Sequence, residues 1–578
     1  MSRMHHTYLI RDEIPKHART SLAEFPEHVQ HLLFHRGVDT REKAVVFLNP
    51  DYDAHTHDPF LLKDLEKAIT RIHKAVKGKE KIIIFSDYDA DGIPGGVVFH
   101  DFLNKIGCVN FENYIPHRHH EGFGLSMDAV TSFAEKGVTL LITIDCGGAD
   151  VEEIEYAQKN GIDVIVTDHH EIHGHVPKAY AVINPKQSDC LYPEKMLCGS
   201  GVIYKVIQGF LKKYGDEYGV SKGWEKWLLD LVGIATLSDM VPLVGENRVL
   251  AYYGLTVLRK TPRRGLIKLF EKLRLYPRNI VEDDVGFSIS PRINAASRMG
   301  VPMDAFKLLA TKDEDEADTL ACHLEEINTD RKGTVAGLVK EVKKIIAERF
   351  TGTKNVIVLG NPHWRPSLLG LVANSFATEH SCPVFLWGRD GDGVLKGSCR
   401  SGGGVSVLSV MEKAKPGTFI HFGGHSLSGG FEVSSDSVHT LQIELDKACA
   451  IVSKDEKKQE TIPVADLSLT LDSLTWRLYD DVSRLAPFGV GNPKPLFCFE
   501  RVVPVEIKHF GKEKNHLEML FKKENGATVS AIGFFMEAGD FDISVEVGKP
   551  LCLLATLEKS TFKRTPELRL RIVNVFDR

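Results

Sequence analysis

At 578 residues the chain exceeds what one hydrophobic core organises, so two to four domains are expected. Hydrophobic residues make up 43% and charged residues 26%, no apolar run approaches the roughly 20 residues of a bilayer span, and Met1 to Lys16 has no apolar signal-like centre, so a cytoplasmic protein without membrane spans is expected. The net charge of −6 creates no global attraction for nucleic acid, which leaves such binding to local basic patches.

Residues 1–45 carry no usable motif and read as an N-terminal extension. From 46 to 310 strands and helices alternate, the pattern of a parallel sheet covered on both faces. Lys81–Phe85, Thr139–Asp145 and Asp163–Asp168 are short apolar runs that each end in polar residues, with a helix predicted over Asp150–Asn160 before Gly161. Glu314 to Arg349 is helical and charged, with Gly333 and Gly337 its only glycines, and forms a connecting helix across 311–350. A second, smaller α/β unit follows over 351–455, with strands at Asn355–Leu359 and Pro383–Trp387, a helix from about Ser367, and a glycine-rich stretch from Gly423 to Gly430. Ser453–Thr461 is a polar linker. Beyond it, 460–578 offers short β-rich runs (Val502–Ile507, His516–Phe521, Val529–Phe535, Leu551–Glu558) that predict a small β-barrel. The ten cysteines are scattered without a C-x-x-C pair, so neither a disulfide framework nor a zinc site is indicated.

The chemistry gathers at the predicted strand ends, which in open α/β folds converge on one ligand-binding edge. Ser86–Gly92 reads SDYDADG, and in an extended segment Asp87, Asp89 and Asp91 would share one face. Such crowding is costly unless cations neutralise it; a capping turn or a single calcium loop are the plainer readings. Asp145 ends the next strand and Asp168, His169 and His170 the one after, while Asp239 closes the apolar helical run LLDLVGIATLSDM. Independent structural accidents would not all fall at element ends. Carboxylates combined with imidazole suit Mn²⁺ or Mg²⁺.

DYDADG, IDCG, DHH and SDMVPL, in this order, resemble the four metal-binding motifs of the DHH phosphoesterase superfamily. The resemblance implies that Asp89, Asp91, Asp145, His169 and Asp239 hold two divalent cations, with Asp145 bridging, and that Asp87 and His170 are catalytic beside them. Within the superfamily, YIPHRHHEGFGL (Tyr114–Leu125), SPRINAASRMG (Ser290–Gly300), GSCRS (Gly397–Ser401), FGGHSLSGG (Phe422–Gly430), LAPFGVGNPKPLF (Leu485–Phe497) and GKEKNHL (Gly511–Leu517) resemble the RecJ-type exonucleases. That likeness implies a DHH domain, a DHHA1 nucleic-acid-binding domain and a C-terminal OB-fold. It also implies DNA contacts at Arg118, Arg292, Arg298, Ser398, Arg400, Gly423, Gly424 and His425, with Arg118, Ser398 and Arg400 seating a 5′ phosphate. Lys512, Lys514, Lys563, Arg564 and Arg569 are candidate phosphate contacts of the OB-fold.

The implied activity is 5′-to-3′ hydrolysis of single-stranded DNA to 5′-mononucleotides in DNA repair and recombination, by a monomer that receives substrate from a single-strand-binding protein or a helicase. Two alternatives differ in class. One is a DHH phosphodiesterase for short oligoribonucleotides or nucleotide bisphosphates, which generally lacks an OB-like domain. The other is a non-catalytic scaffold for single strands, which in this superfamily loses metal ligands; none is missing here. The sequence departs from the usual RecJ pattern in Ile-Pro-Gly after DYDADG, in HWRPSLLG (His363–Gly370) and in SLSGGF after the GGH triplet.

Overall fold

The computed structural model describes residues 8–172, 174–350, 354–389, 393–455, 462–511, 513–541, 543–561 and 565–577. The apolar runs of the first half become β1 (Ile82–Ser86), β2 (Phe111–Tyr114), β3 (Leu140–Ile144), β4 (Asp163–Thr167) and β5 (Ala181–Ile183), all parallel in the order β2-β1-β3-β4-β5. Side chains alternate between two cores, as a sheet covered on both faces requires. Ile82 and Ile84 join the larger core with helices α1 (Gly92–Lys105), α2 (Gly199–Tyr214) and α3 (Leu229–Ser238), and Ile83 and Phe85 pack with Val130, Phe133 and Ile154 on the other side. The register matters most for function. Ser86 pairs with Ile144, Ile144 with Thr167 and Thr167 with Ile183, so four neighbouring strands end level. The next residues along the chain, Asp87, Asp145 and Asp168, therefore emerge side by side at one edge.

A helical turn of the wide, π type (Val285–Ile289) runs into α4 (Ser290–Met299), which packs on α5, Glu314–Arg349. The bounds of α5 match the predicted helix, and Asp313 caps its start by accepting from the Glu316 N–H. At 36 residues it is about 54 Å long. Ala321 and Leu324 belong to the first core, whereas Leu338, Val342 and Ile346 belong to the core of the second unit with Leu368, Leu369 and Phe376 of α6 (Pro366–His380). One rigid rod is thus anchored in two cores.

The second unit is a five-stranded sheet of β6 (Ile357–Gly360), β7 (Val384–Arg389), β8 (Leu395–Arg400), β9 (His421–Gly424) and β10 (Ser428–Val433), ordered β9-β10-β8-β7-β6. The glycine-rich stretch is the β9–β10 hairpin, closed by the His425 N–H to Ser428 carbonyl bond. In the third unit β11 (Leu496–Val502), β12 (Pro504–Phe510), β13 (His516–Lys522), β14 (Thr528–Phe534), β15 (Leu551–Ser560) and β16 (Glu567–Phe576) curl in the order β11-β15-β16-β14-β13-β12, with Leu467–Ser468 beside β11. Among the described residues no pairing joins β11 to β12, so the barrel is open, as OB-folds often are.

Residues 8–48 are not a loose extension. Val29, Leu32 and Leu33 of helix Glu27–Phe34 and Ala44 and Leu48 of helix Arg41–Leu48 share one core with Phe497, Leu517, Phe521 and Leu553 of the barrel. Leu9–Ile10 pairs in parallel with Val464–Ala465, and Arg36 Nε donates to Asn492 Oδ1 at 2.9 Å. The LAPFGVGNP segment precedes the barrel strands and docks the third unit on the first. Val490 accepts from the Leu243 N–H at 2.7 Å, and Ala486 accepts from Arg248 Nη2 at 2.9 Å. Leu32→Ala deletes a fully buried side chain from this shared core. It is expected to lower stability by about 2–5 kcal/mol, measured as a lower urea midpoint with turnover retained in the folded fraction.

Candidate active site

The acidic segment is not extended. β1 ends at Ser86, the chain turns, and Asp89 Oδ1 accepts from the N–H groups of Asp91 (2.7 Å) and Gly92 (3.0 Å), which starts α1. This turn, not strand alternation, brings the three carboxylates together. Asp91 is fixed from across the domain: the N–H groups of Gly199 and Ser200, at the start of α2, donate to its two oxygens at 2.6 and 2.7 Å. Asp145 sits in the left-handed backbone region at φ 63°, the kind of strain that over-determined functional positions retain. His169 lies between the acids, its Nε2 3.1 Å from Asp145 and 3.8 Å from Asp91, its Nδ1 3.7 Å from Asp239. Asp239 follows α3 directly, and the next residue, Met240, has φ 58°.

Ligand-type atoms fall into three overlapping groups, Asp91–His169–Asp239, Asp87–Asp89–Asp145 and Asp145–His169–His170, with separations within 4.8 Å. Burial, and then the neighbouring carboxylates, push Asp91 up to about 6 and Asp239 up to about 8, and drive Asp87 and Asp145 well above the usual carboxylate range. Burial pushes His169 down to about 3, a neutral imidazole with a lone pair to share. Asp87 Oδ1 and Asp145 Oδ1 are buried without a hydrogen bond among the described residues. Orphaned oxygens, mutual repulsion and a neutral histidine together fit a pair of hard divalent cations.

Asp168 faces away from this cluster and organises it. It accepts from the N–H groups of Gly148, His169 and His170 and from His170 Nδ1 at 2.8 Å. Burial alone would raise its carboxyl, but the hydrogen bond and charge of His170 hold it well below the usual range. His170 answers in kind: burial lowers it, yet the Asp168 hydrogen bond carries it up to about 9. His170 is therefore a fixed cation at the rim of the acids.

Beside the acids lies a cleft of about 380 Å³ between the first and second units, lined by Tyr88, Arg118 and Phe123 on one wall and by Ser398, Phe422 and Gly423 on the other. Arg118 sits over the Tyr88 ring at 4.8 Å, on a loop held by Glu121, which accepts from the His117 N–H at 2.6 Å. Burial, followed by repulsion from Arg118, Arg331 and Arg400, pushes Arg298 down to about 9. Its Nη1 donates to the Ser367 carbonyl of the second unit at 2.8 Å. Gly424 has φ 138°, and a Cβ there would lie 2.3 Å from the Ser428 carbonyl oxygen; at Gly423 nothing lies within 4 Å, which leaves its backbone open to the cleft.

The DHH family, N-terminal domain, matches residues 81–236, and the RecJ OB domain matches residues 465–574. A single-stranded-DNA-specific exonuclease RecJ from Bacillus subtilis is 33% identical over 549 residues, covering 94% of this chain and 67% of its own. The chain belongs to the RecJ family. The crystal structure of RecJ from Thermus thermophilus in complex with Mn²⁺ shares the fold at a TM-score of 0.82 and 24% identity, over 99% of this chain and 79% of that one. A further structure, exonuclease RecJ bound to manganese, aligns at a TM-score of 0.58 and 28% identity, over 67% of this chain and 95% of that one.

Of the residues that the RecJ-type reading singled out, the fold brings Asp87, Asp89, Asp91, Asp145, His169, His170 and Asp239 to one place; Arg118, Ser398 and Gly423 line the adjoining cleft, Arg298 bonds its Ser367, and Arg400, Gly424 and His425 follow Ser398 and Gly423 along the chain. Arg292 is directed elsewhere: it is 6% exposed, and its guanidinium donates to Glu325 at 2.8 and 3.2 Å and to the Ser288 carbonyl, tying α4 to α5. On the barrel, Arg569 bonds Glu558, and Lys514 lies in a turn at φ 53°. Lys512, Lys563 and Arg564 lie outside the described residues. Sequence reasoning missed Gly199 and Ser200, whose signal was the C-G-S-G run at 198–201, and Arg331, which is one charged residue among many on its helix. A Cβ at Gly199 would stand 2.5 Å from Asp145 Cβ and Oδ1. Gly199→Ala is therefore expected to reduce turnover about 100-fold with an unchanged circular dichroism spectrum. Gly201→Ala, whose Cβ would meet its nearest neighbours at 3.6 Å, serves as the neutral control.

Proposed function

We propose that this protein is a metal-dependent exodeoxyribonuclease that hydrolyses single-stranded DNA from its 5′ end and releases 5′-mononucleotides. One observation carries the reading: Tyr88, within the acidic turn, lines a cleft together with Arg118, Lys396, Ser398 and the β9–β10 hairpin of a second unit. The relatives that extend over nearly the whole chain, third unit included, are single-stranded-DNA-specific exonucleases, which supports the same substrate. The manganese of the RecJ structure at 28% identity, together with the oxygen-rich donor set here, supports Mn²⁺ or Mg²⁺ as cofactor.

In this reading Asp91, His169 and Asp239 would hold one cation and Asp87, Asp89 and Asp145 the other, the groups into which their ligand-type atoms fall. A bound pair of such cations supplies an acidified water for attack and charge stabilisation at the departing oxygen. The protein's own groups do the rest. Arg118, Arg298, Ser398 and Arg400 seat the terminal 5′ phosphate, which fixes the first diester against the acids. The exposed edge of the His170 imidazolium, held by Asp168, donates to a non-bridging oxygen of that diester and offsets its charge as the phosphorus becomes five-coordinate. Gly199 and Ser200 keep Asp91 from rotating. The β9–β10 hairpin narrows the cleft to a single strand.

The domains we assign are a DHH domain at 46–310, the connecting helix at 311–350, a DHHA1 domain at 351–455 and an OB unit at 460–578 that incorporates the helices of the first 48 residues. The cleft is complete within one chain, which supports a monomer, acting in the cytoplasm in DNA repair and recombination on strands delivered by a single-strand-binding protein or a helicase. No described helix is long and apolar enough to cross a membrane.

Strands labelled at either end separate the possibilities. With Mn²⁺ or Mg²⁺ the 5′ label is expected to appear at once as mononucleotide, and the 3′ label only as the strand is consumed. Chelation should stop both. Release of the 3′ label first would reverse the proposed polarity, and faster turnover of a dinucleotide than of a long strand would favour an oligoribonucleotide-type enzyme. Asp145→Ala is expected to abolish turnover while strand binding, measured by fluorescence anisotropy, persists and weakens with salt as phosphate contacts release counterions.

A further inference from the structure

The π turn Val285–Ile289 and α4 form one continuous helical rod, and burial fixes which way it faces. Val285, Ile289, Ile293 and Ala296 point into the protein, whereas Phe287, Pro291, Asn294 and Arg298 form the less buried stripe, at i, i+4, i+7 and i+11. Two members of that stripe touch the active site. Asn294 Oδ1 accepts from the Ala90 N–H, inside the acidic turn, at 3.0 Å, and Arg298 Nη1 donates at 2.8 Å to the carbonyl of Ser367, which lines the cleft. The stripe therefore runs along the strand's path, and Phe287 lies on it about 16 Å of helix rise beyond Arg298.

Phe287 is 78% exposed, among the most exposed large apolar side chains described. It is not on a loose loop. The turn that carries it is tied down by Ser290 Oγ, which donates to the Val285 carbonyl at 2.8 Å and meets the hydroxyl of Ser238, the residue before Asp239. Wide turns of this kind recur at functional sites. On the far side, Asp283 pairs with Lys494, so the barrel unit begins where the stripe ends. Phe287 thus stands between the acids and the OB unit.

We propose that Phe287 is a stacking platform for a base on the 3′ side of the scissile phosphate, a few nucleotides in from the 5′ end, and that it holds the strand in register between successive cleavages. The proposal rests on the single-strand exonuclease reading. An aromatic face suits any base, so the platform adds affinity without sequence preference, and each base so stacked contributes measurably to binding.

The test compares the wild type with Phe287→Ala, Phe287→Trp and, as an exposed aromatic outside the stripe, Tyr276→Ala, on a 5′-phosphorylated long strand and on a 5′-phosphorylated dinucleotide. Phe287→Ala is expected to raise KM for the long strand roughly 5-fold or more and to shorten the run of cleavages per encounter, with kcat and dinucleotide turnover unchanged. Phe287→Trp should behave as wild type, and so should Tyr276→Ala. Strands with one abasic position, moved stepwise from the 5′ end, should show a single position where the wild type loses affinity and Phe287→Ala does not. An unchanged KM in Phe287→Ala, equal loss on the dinucleotide, or failure of tryptophan to substitute would overturn the platform while leaving the exonuclease reading intact. A wild type that degrades no single strand would remove that reading itself.

Discussion

Everything in the first domain answers to one electrostatic problem: at least five carboxylates and an imidazole share a nearly dry volume at the end of a parallel sheet. Buried like charges repel strongly, so the arrangement survives only if the backbone forbids the acids to drift apart and positive charge can enter. The fold meets the first condition redundantly. Level strand ends place Asp87 and Asp145 side by side, the turn after β1 adds Asp89 and Asp91, and the first amides of α2 hold Asp91 from the opposite direction. The second condition is what a pair of divalent cations would meet, with His170 beside the acids as a local contribution.

Division of labour among acids follows from their surroundings rather than from their chemistry. Asp168 occupies the same row as Asp87 and Asp145, yet it accepts four hydrogen bonds and stays ionised, whereas Asp87 and Asp145 each keep an unsatisfied oxygen. A carboxylate saturated by the protein has nothing left for a metal. One starved of donors has little else to do. The same logic separates the arginines: Arg292 is consumed by Glu325, while Arg298 is pressed against other cations.

Much of this was legible in the sequence, because the determining residues are side chains at the ends of apolar runs. Asp87 to Asp91, Asp145, His169, His170 and Asp239 stood out that way, and α5 was legible from composition down to its terminal residues. What stayed hidden acts through the backbone or through distance. Gly199 and Ser200 work through amide hydrogens, which leave only a faint trace in residue type. The alternation of Asp87, Asp89 and Asp91 suggested an extended face, but Asx-type bonding from Asp89 bent the chain into a turn. Nothing in residues 1–45 hinted at a partner, since an amphipathic helix advertises an apolar face without saying which surface will cover it.

That N-terminal packing has a temporal consequence. Leu32 and Leu33 cannot be covered until Phe497, Leu517 and Leu553 exist, so on the ribosome the helices near residue 30 wait, apolar face outward, while more than four hundred residues are synthesised. The catalytic sheet and its acids can assemble long before then. The catalytic centre would thus form early, whereas the core that joins the N-terminal helices to the third unit closes only as synthesis finishes.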